Sequence, residues 1–224
     1  MTKKIKRGYN ENDTKGIGMM MLIIIFAIGI AIGVVIDRRI CKGASNWEHL
    51  LAILGNGAAY LWIFAVKGVR PESFLFAVCA SALMILSLVD IKTLEIPLSC
   101  NVTIFITGVI KIFFHLEDWY VYVIGMSAVS GIFLVVYFLT GGKGIGGGDI
   151  KLMAAAGLLL GWQNIILSLF IGSMAGSVIH ITLMKVKGKE RVLAFGPYLA
   201  MGIFVAMLYG ERMIQWYVRT FLRL

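Results

Sequence analysis

The chain has 224 residues, of which 59% are hydrophobic and 15% charged, and it carries a formal net charge of +9 at pH 7. Soluble globular domains hold about a quarter charged residues, so this composition excludes an ordinary soluble domain and points to an integral membrane protein. Bilayer-spanning backbone must satisfy its own hydrogen bonds and no alternating strand pattern is present, so the expected fold class is all-α, a polytopic bundle of six to eight transmembrane helices.

In chain order, apolar runs cover 17–36, 50–66, 73–89, 98–114, 119–139, 150–162, 164–184 and 194–210. A spanning helix needs about 20 apolar residues, so the sixth run is too short to cross alone. The first run follows a basic head, MTKKIKRGYN, as a secretory signal does, yet it is longer than a signal core and no small-residue cleavage site follows. It is expected to be a retained helix. The expected organisation is a tail and two helices without a zinc-binding insert (1–72), a core (73–210) and a basic C-terminal tail (211–224). Lys and Arg number three in 37–49, one in 90–97, two in 140–151 and four in 185–193, which together make ten, whereas the opposite internal loops hold only Lys67 and Arg70. The positive-inside rule puts the first group in the cytoplasm, although the two basic tails fall on the other side. The positive excess predicts attraction to anionic lipid head groups, and no nucleic-acid partner is expected.

Two aspartates stand at the edges of apolar runs: Asp90 in SLVDIKTLEIP and Asp149 in GGKGIGGGDIKLMAAAG. Ionisable groups at membrane depth are costly and read as functional by default. Singly, Asp149 reads equally well as a helix cap and Asp90 as a membrane-boundary charge. Together they suit peptide hydrolysis, which needs one ionised carboxylate to take a proton from water and one protonated carboxyl to donate to the carbonyl. Like charges held close cannot both ionise, which supplies that split. Asp149, at a helix start with Lys151 two residues on, is expected to be the ionised partner, and Asp90, at a helix end, the protonated one. Lys151 reads equally as a residue snorkelling to head groups. Gly146 and Gly148 leave the backbone beside Asp149 bare for another chain to approach, with Gly148 expected in a turn of positive φ. Pro97 is expected to start the following helix, and Lys92 and Glu95 to lie in a solvated loop.

Asp90 followed by Ile96-Pro97, then Gly146-x-Gly148-Asp149-x-Lys151 opening an apolar helix, then Phe195-Gly196-Pro197-Tyr198 opening the last one, resembles the type IV prepilin peptidases over about residues 73–205. The resemblance implies a GxGD-type aspartyl protease of the bacterial cytoplasmic membrane. Its active site faces the cytoplasm, its catalytic residues match Asp90 and Asp149, and its substrates are type IV pilin-like precursors cut after a glycine. It also implies substrate-binding or site-shaping roles for Gly146, Gly148, Lys151, Ile96, Pro97, Phe195, Gly196 and Pro197. Many family members methylate the new N-terminus with S-adenosylmethionine, often using a zinc-bound cysteine tetrad in a long loop after the first helix. Here that loop, DRRICKGASNWEH, is short with a single cysteine. Neither metal nor cofactor is therefore expected, and S-adenosylmethionine enters only if methylation is retained. Cys41, Cys79 and Cys100 read as isolated thiols. The rival readings are another GxGD protease, of the presenilin kind, and a proton-coupled transporter. The presenilin kind carries Tyr-Asp and Pro-Ala-Leu motifs, whereas this chain has Val89-Asp90 and no such tripeptide.

Overall fold

The computed structural model describes residues 18–40, 46–187 and 194–221. Among these the chain forms eight α-helices and no strand. They are α1 (Met19–Ile40), α2 (Asn46–Lys67), α3 (Pro71–Thr93), α4 (Leu98–Phe114), α5 (Trp119–Leu139), α6 (Gly147–Leu160), α7 (Trp162–Lys187) and α8 (Gly196–Phe221). A single 3-10 turn, Leu116–Asp118, joins α4 to α5. Each apolar run becomes one helix, as the composition demands. Two ends differ from expectation. Helix α3 continues past residue 89 to Thr93, because Ile91-Lys92-Thr93 contains no helix breaker, so Asp90 lies inside its last turn. Helix α8 continues to Phe221, so most of the segment expected as a tail is helical.

Among the described residues, four segments are long and apolar enough to cross a bilayer: Glu48–Lys67, Pro71–Thr93, Leu116–Leu139 and Trp162–Thr182. Met20–Ile36 and Leu98–Phe114 are shorter apolar helices. The outlier is α6, whose 14 residues rise roughly 21 Å, short of a hydrocarbon core of about 30 Å. It survives because its neighbours enclose it. Leu152, Met153, Ala156 and Leu159 are fully buried, and Gly157 meets the backbone of Gly125 on α5 so closely that a Cβ on either would strike the other's chain. In lipid there is little hydrophobic gain from helix association, and small residues that let backbones touch take over. The same device joins α1 to α2, where a Cβ on Gly29 would lie 2.8 Å from Gly57 Cα and one on Gly33 2.6 Å from the Ala52 carbonyl oxygen.

Buried hydrogen bonds set the register of the first three helices. Asn56 donates to the Gly29 carbonyl (2.9 Å), Ser81 donates to Asn56 Oδ1 (3.0 Å), and the Tyr60 hydroxyl pairs with Ser81 (3.1 Å). Lys92, expected in a solvated loop, instead lies on α3 and pairs with Glu48 at the start of α2 (2.7 Å). At the other end of α3, roughly 30 Å away by helix rise, Glu72 pairs with His115 (2.5 Å). There the buried Lys111 ammonium sits over the rings of Phe76 (5.0 Å) and Tyr122 (5.3 Å).

Candidate active site

Three chain turns meet where α3 ends. Helix α3 closes when Leu94 takes a left-handed conformation (φ 56°, ψ 28°) and its N–H returns to the Asp90 carbonyl (2.9 Å). A residue with a Cβ adopts that conformation at a cost, and such strain clusters at functional sites. Pro97 then takes the N-cap position of α4, next to the first helical turn as expected, and its carbonyl accepts the Cys100 N–H (3.1 Å). Helix α5 ends in a Schellman-type cap, with the Gly142 N–H on the Tyr137 carbonyl (2.8 Å) and the Gly141 N–H on the Phe138 carbonyl (3.3 Å). Gly141 has φ 59°, the conformation this cap requires and glycine adopts freely. The first glycines of GGKGIGGGD thus end one helix and the last ones begin the next, with Gly146 as the N-cap of α6.

These turns bring Asp90 and Asp149 to one end of the bundle, where both line two confluent clefts. The smaller, about 290 Å³, is bounded by Leu94, Glu95, Ile96, Asn101, Gly146–Gly148 and Lys151 besides the two carboxylates. The larger, about 610 Å³, is bounded by Phe133, Ile145, Leu169, Ser173 and Phe195 on its other walls. One arm is polar and the other apolar, with the two aspartates, Leu94 and Gly146 common to both.

Asp90 is buried, 4% exposed, and its Oδ2 accepts the backbone N–H of Gly196 (2.9 Å). Gly196 is the first residue of α8, and Pro197 beside it has no N–H to leave unsatisfied. Asp90 therefore caps α8 from across the bundle, and a helix N-terminus favours negative charge. Asp149 sits in the first turn of α6, half-buried and outside the spanning segments. Burial pushes its carboxyl up to about 6, the Asp90 charge adds to that rise, and the Gly146 N–H partly offsets it. Asp149, expected to be the ionised partner, thus holds its proton more tightly than an ordinary carboxyl does. Burial and the neighbouring carboxylate outweigh the helix start at Asp149, while the N–H at the start of α8 goes to Asp90.

The motif glycines serve close approach. Gly148 lies within α6 and not at positive φ, contrary to expectation; a Cβ there would stand 3.0 Å from Ile96 Cβ. A Cβ on Gly146 would stand 3.0 Å from Asp149 Oδ2, whereas one on Gly147 meets nothing within 4 Å. Ile96 is thus the wedge against Gly148, and Phe195 leads into the cap and walls the larger cleft. Lys151 is exposed on the rim of the smaller cleft. Asn101, which the sequence patterns did not single out, is buried beside Gly148 and donates to its carbonyl (3.4 Å).

Comparison with known proteins gives this arrangement its family. Residues 77–181 match the profile of the type IV leader peptidase family. A protein of Aeromonas salmonicida is 35% identical over 100 residues, covering 44% of this chain and 34% of that one. One from Stutzerimonas stutzeri is 31% identical over 187 residues (80% and 64%), and one from Bacillus subtilis 32% over 168 residues (70% and 66%). All three are named prepilin leader peptidase/N-methyltransferase. The chain belongs to the type IV prepilin peptidase family. The matched stretches span about a third to two thirds of these relatives' length, and no solved structure matches. The family's zinc-bound cysteine tetrad does not fit this chain. It has three cysteines in all, and Cys79 and Cys100 are buried free thiols on separate helices. Cys41 and most of the loop after α1 lie outside the described residues.

Proposed function

We propose that the chain is a membrane aspartyl endopeptidase that removes the basic leader from type IV pilin-like precursors, with Asp90 and Asp149 as its catalytic pair. The observation that carries this reading is the meeting of two carboxylates from separate helices, one capped by the Gly196 N–H and the other raised by burial, in the shared wall of a polar and an apolar cleft. Ionised Asp90 takes a proton from water as the water oxygen attacks the scissile carbonyl carbon, and Asp149 gives its proton to the carbonyl oxygen. The resulting diol collapses: the C–N bond breaks, the leaving nitrogen takes the proton held by Asp90, and Asp149 recovers its own.

The flanking residues shape the site. Gly146 and Gly148 keep side chains away from Asp149 and Ile96, Pro97 starts the helix behind that wedge, and Gly196 and Pro197 fix Asp90 through the α8 cap. Phe195 offers an apolar wall to the substrate and Lys151 a positive rim. The ten Lys and Arg that the sequence groups on the side of Asp90 and Asp149 support a site facing the cytoplasm, in the cytoplasmic membrane, among anionic lipids. No step runs through a metal. Methyl transfer is left out of the proposal, because three cysteines cannot supply a tetrad.

The purified chain in detergent, given a synthetic peptide with a lysine-rich leader, a glycine and a 20-residue apolar run, is expected to make one cut after the glycine, read by mass spectrometry. An uncut peptide, with proton flux in liposomes, would replace the peptidase by a transporter.

A further inference from the structure

Asn101 lies on α4, four residues after Pro97, and is 4% exposed. Its Nδ2 donates to the carbonyl of Gly148 (3.4 Å), which fixes the amide with nitrogen toward α6. Its Oδ1 is buried and has no hydrogen-bond partner, although the residue lines the smaller cleft beside both aspartates. A buried acceptor left unmade costs far more than a solvated one, so natural proteins rarely keep one idle. An extended peptide laid beside Asp149 presents backbone N–H donors, and these are the groups the cleft otherwise lacks near that oxygen. We propose that Asn101 is a substrate-positioning residue whose Oδ1 accepts a backbone N–H of the peptide strand while its Nδ2 holds the Gly148 carbonyl and so the turn that carries Asp149. The proposal rests on the peptidase reading. It adds a specificity for extended backbone that the two carboxylates alone do not provide.

The test first requires wild-type cleavage of the lysine-leader peptide described above; if that is absent, the peptidase reading fails and Asn101 is not at issue. Given cleavage, Asn101→Ala removes both the acceptor and the hold on the Gly148 carbonyl; it should raise KM about tenfold, the worth of one neutral hydrogen bond, and also lower kcat through the turn that carries Asp149. Asn101→Asp keeps an oxygen acceptor and loses the amide donor. It should bind peptide better than Asn101→Ala while its pH profile shifts, because a third carboxyl now lies near the pair. A peptide series with single backbone esters gives the decisive readout. One ester position should weaken binding to wild type by a similar factor and cost Asn101→Ala nothing further. Unchanged KM in Asn101→Ala, or an equal ester penalty in both proteins at every position, would overturn the proposal. If Asn101→Ala does not fold, Asn101→Ser serves in its place, read by the same ester series.

Discussion

Gly196→Ala perturbs the pair without touching either carboxyl group chemically. A Cβ at position 196 would lie 2.7 Å from Asp90 Oδ2 and 3.1 Å from its Cγ, well inside the roughly 3.5 Å at which non-bonded atoms rest. Asp90 is 4% exposed, so its carboxylate cannot swing into solvent to make room. Either the carboxylate or the start of α8 must move by several tenths of an ångström, and the 2.9 Å bond from the Gly196 N–H is stretched or lost. A hydrogen bond to a charged group contributes about 1.5–3 kcal/mol, which corresponds to roughly tenfold to a hundredfold in rate if it is lost where Asp90 must be ionised. Misplacing a reacting group by about 1 Å has an effect of similar size. We expect kcat/KM for leader cleavage to fall by about a hundredfold in detergent-solubilised Gly196→Ala, with membrane insertion retained. Cleavage within threefold of wild type would show that the α8 cap on Asp90 is not part of the catalytic arrangement.

Gly146→Ala and Gly148→Ala are expected to lose about tenfold or more of the cleavage rate, through contact with Asp149 and with Ile96, while Gly147→Ala stays near wild type; equal rates in a gel-shift assay of all three would reduce the motif to a flexible linker. The raised Asp149 carboxyl sets the pH dependence: its proton is present below its pKa and lost above it, so kcat/KM should fall as pH rises through about 6. A falling limb at about 4, where ordinary carboxyls titrate, would contradict the burial of Asp149. Elemental analysis should find zinc well below one per chain, and a chelator should leave proteolysis unchanged; stoichiometric zinc would overturn the reading of the cysteines.

Helix count was legible because charge, Gly, Pro or a polar residue such as Gln163 interrupts the apolar runs, and each run became one helix. The ends were less legible, since DIKT at the end of α3 carries no local stop signal and the helix terminates only in Leu94's left-handed turn. Both aspartates were legible from their spacing to Ile96-Pro97 and to the glycines. The cap on Asp90 was not, because its donor is Gly196, 106 residues away in the chain. The conformation of Gly148 was misjudged for a related reason: it lies in α6 without positive φ, and the residue it must admit, Ile96, comes from another turn. Asn101 and Lys111 were each one polar residue in an apolar run, a signal that marks depth in the membrane without naming a partner.

The central claim is that Asp90 and Asp149 act as one catalytic unit. Cleavage of the lysine-leader peptide by Asp90→Asn, Asp149→Asn and the double variant, with Asp37→Asn, in the DRRICKGASNWEH segment, as the control, tests it directly. Groups that work as a unit are not additive, so both single variants should fall to the same residual rate as the double, with Asp37→Asn near wild type. Sustained cleavage in either single variant, or a further loss in the double, would contradict the account.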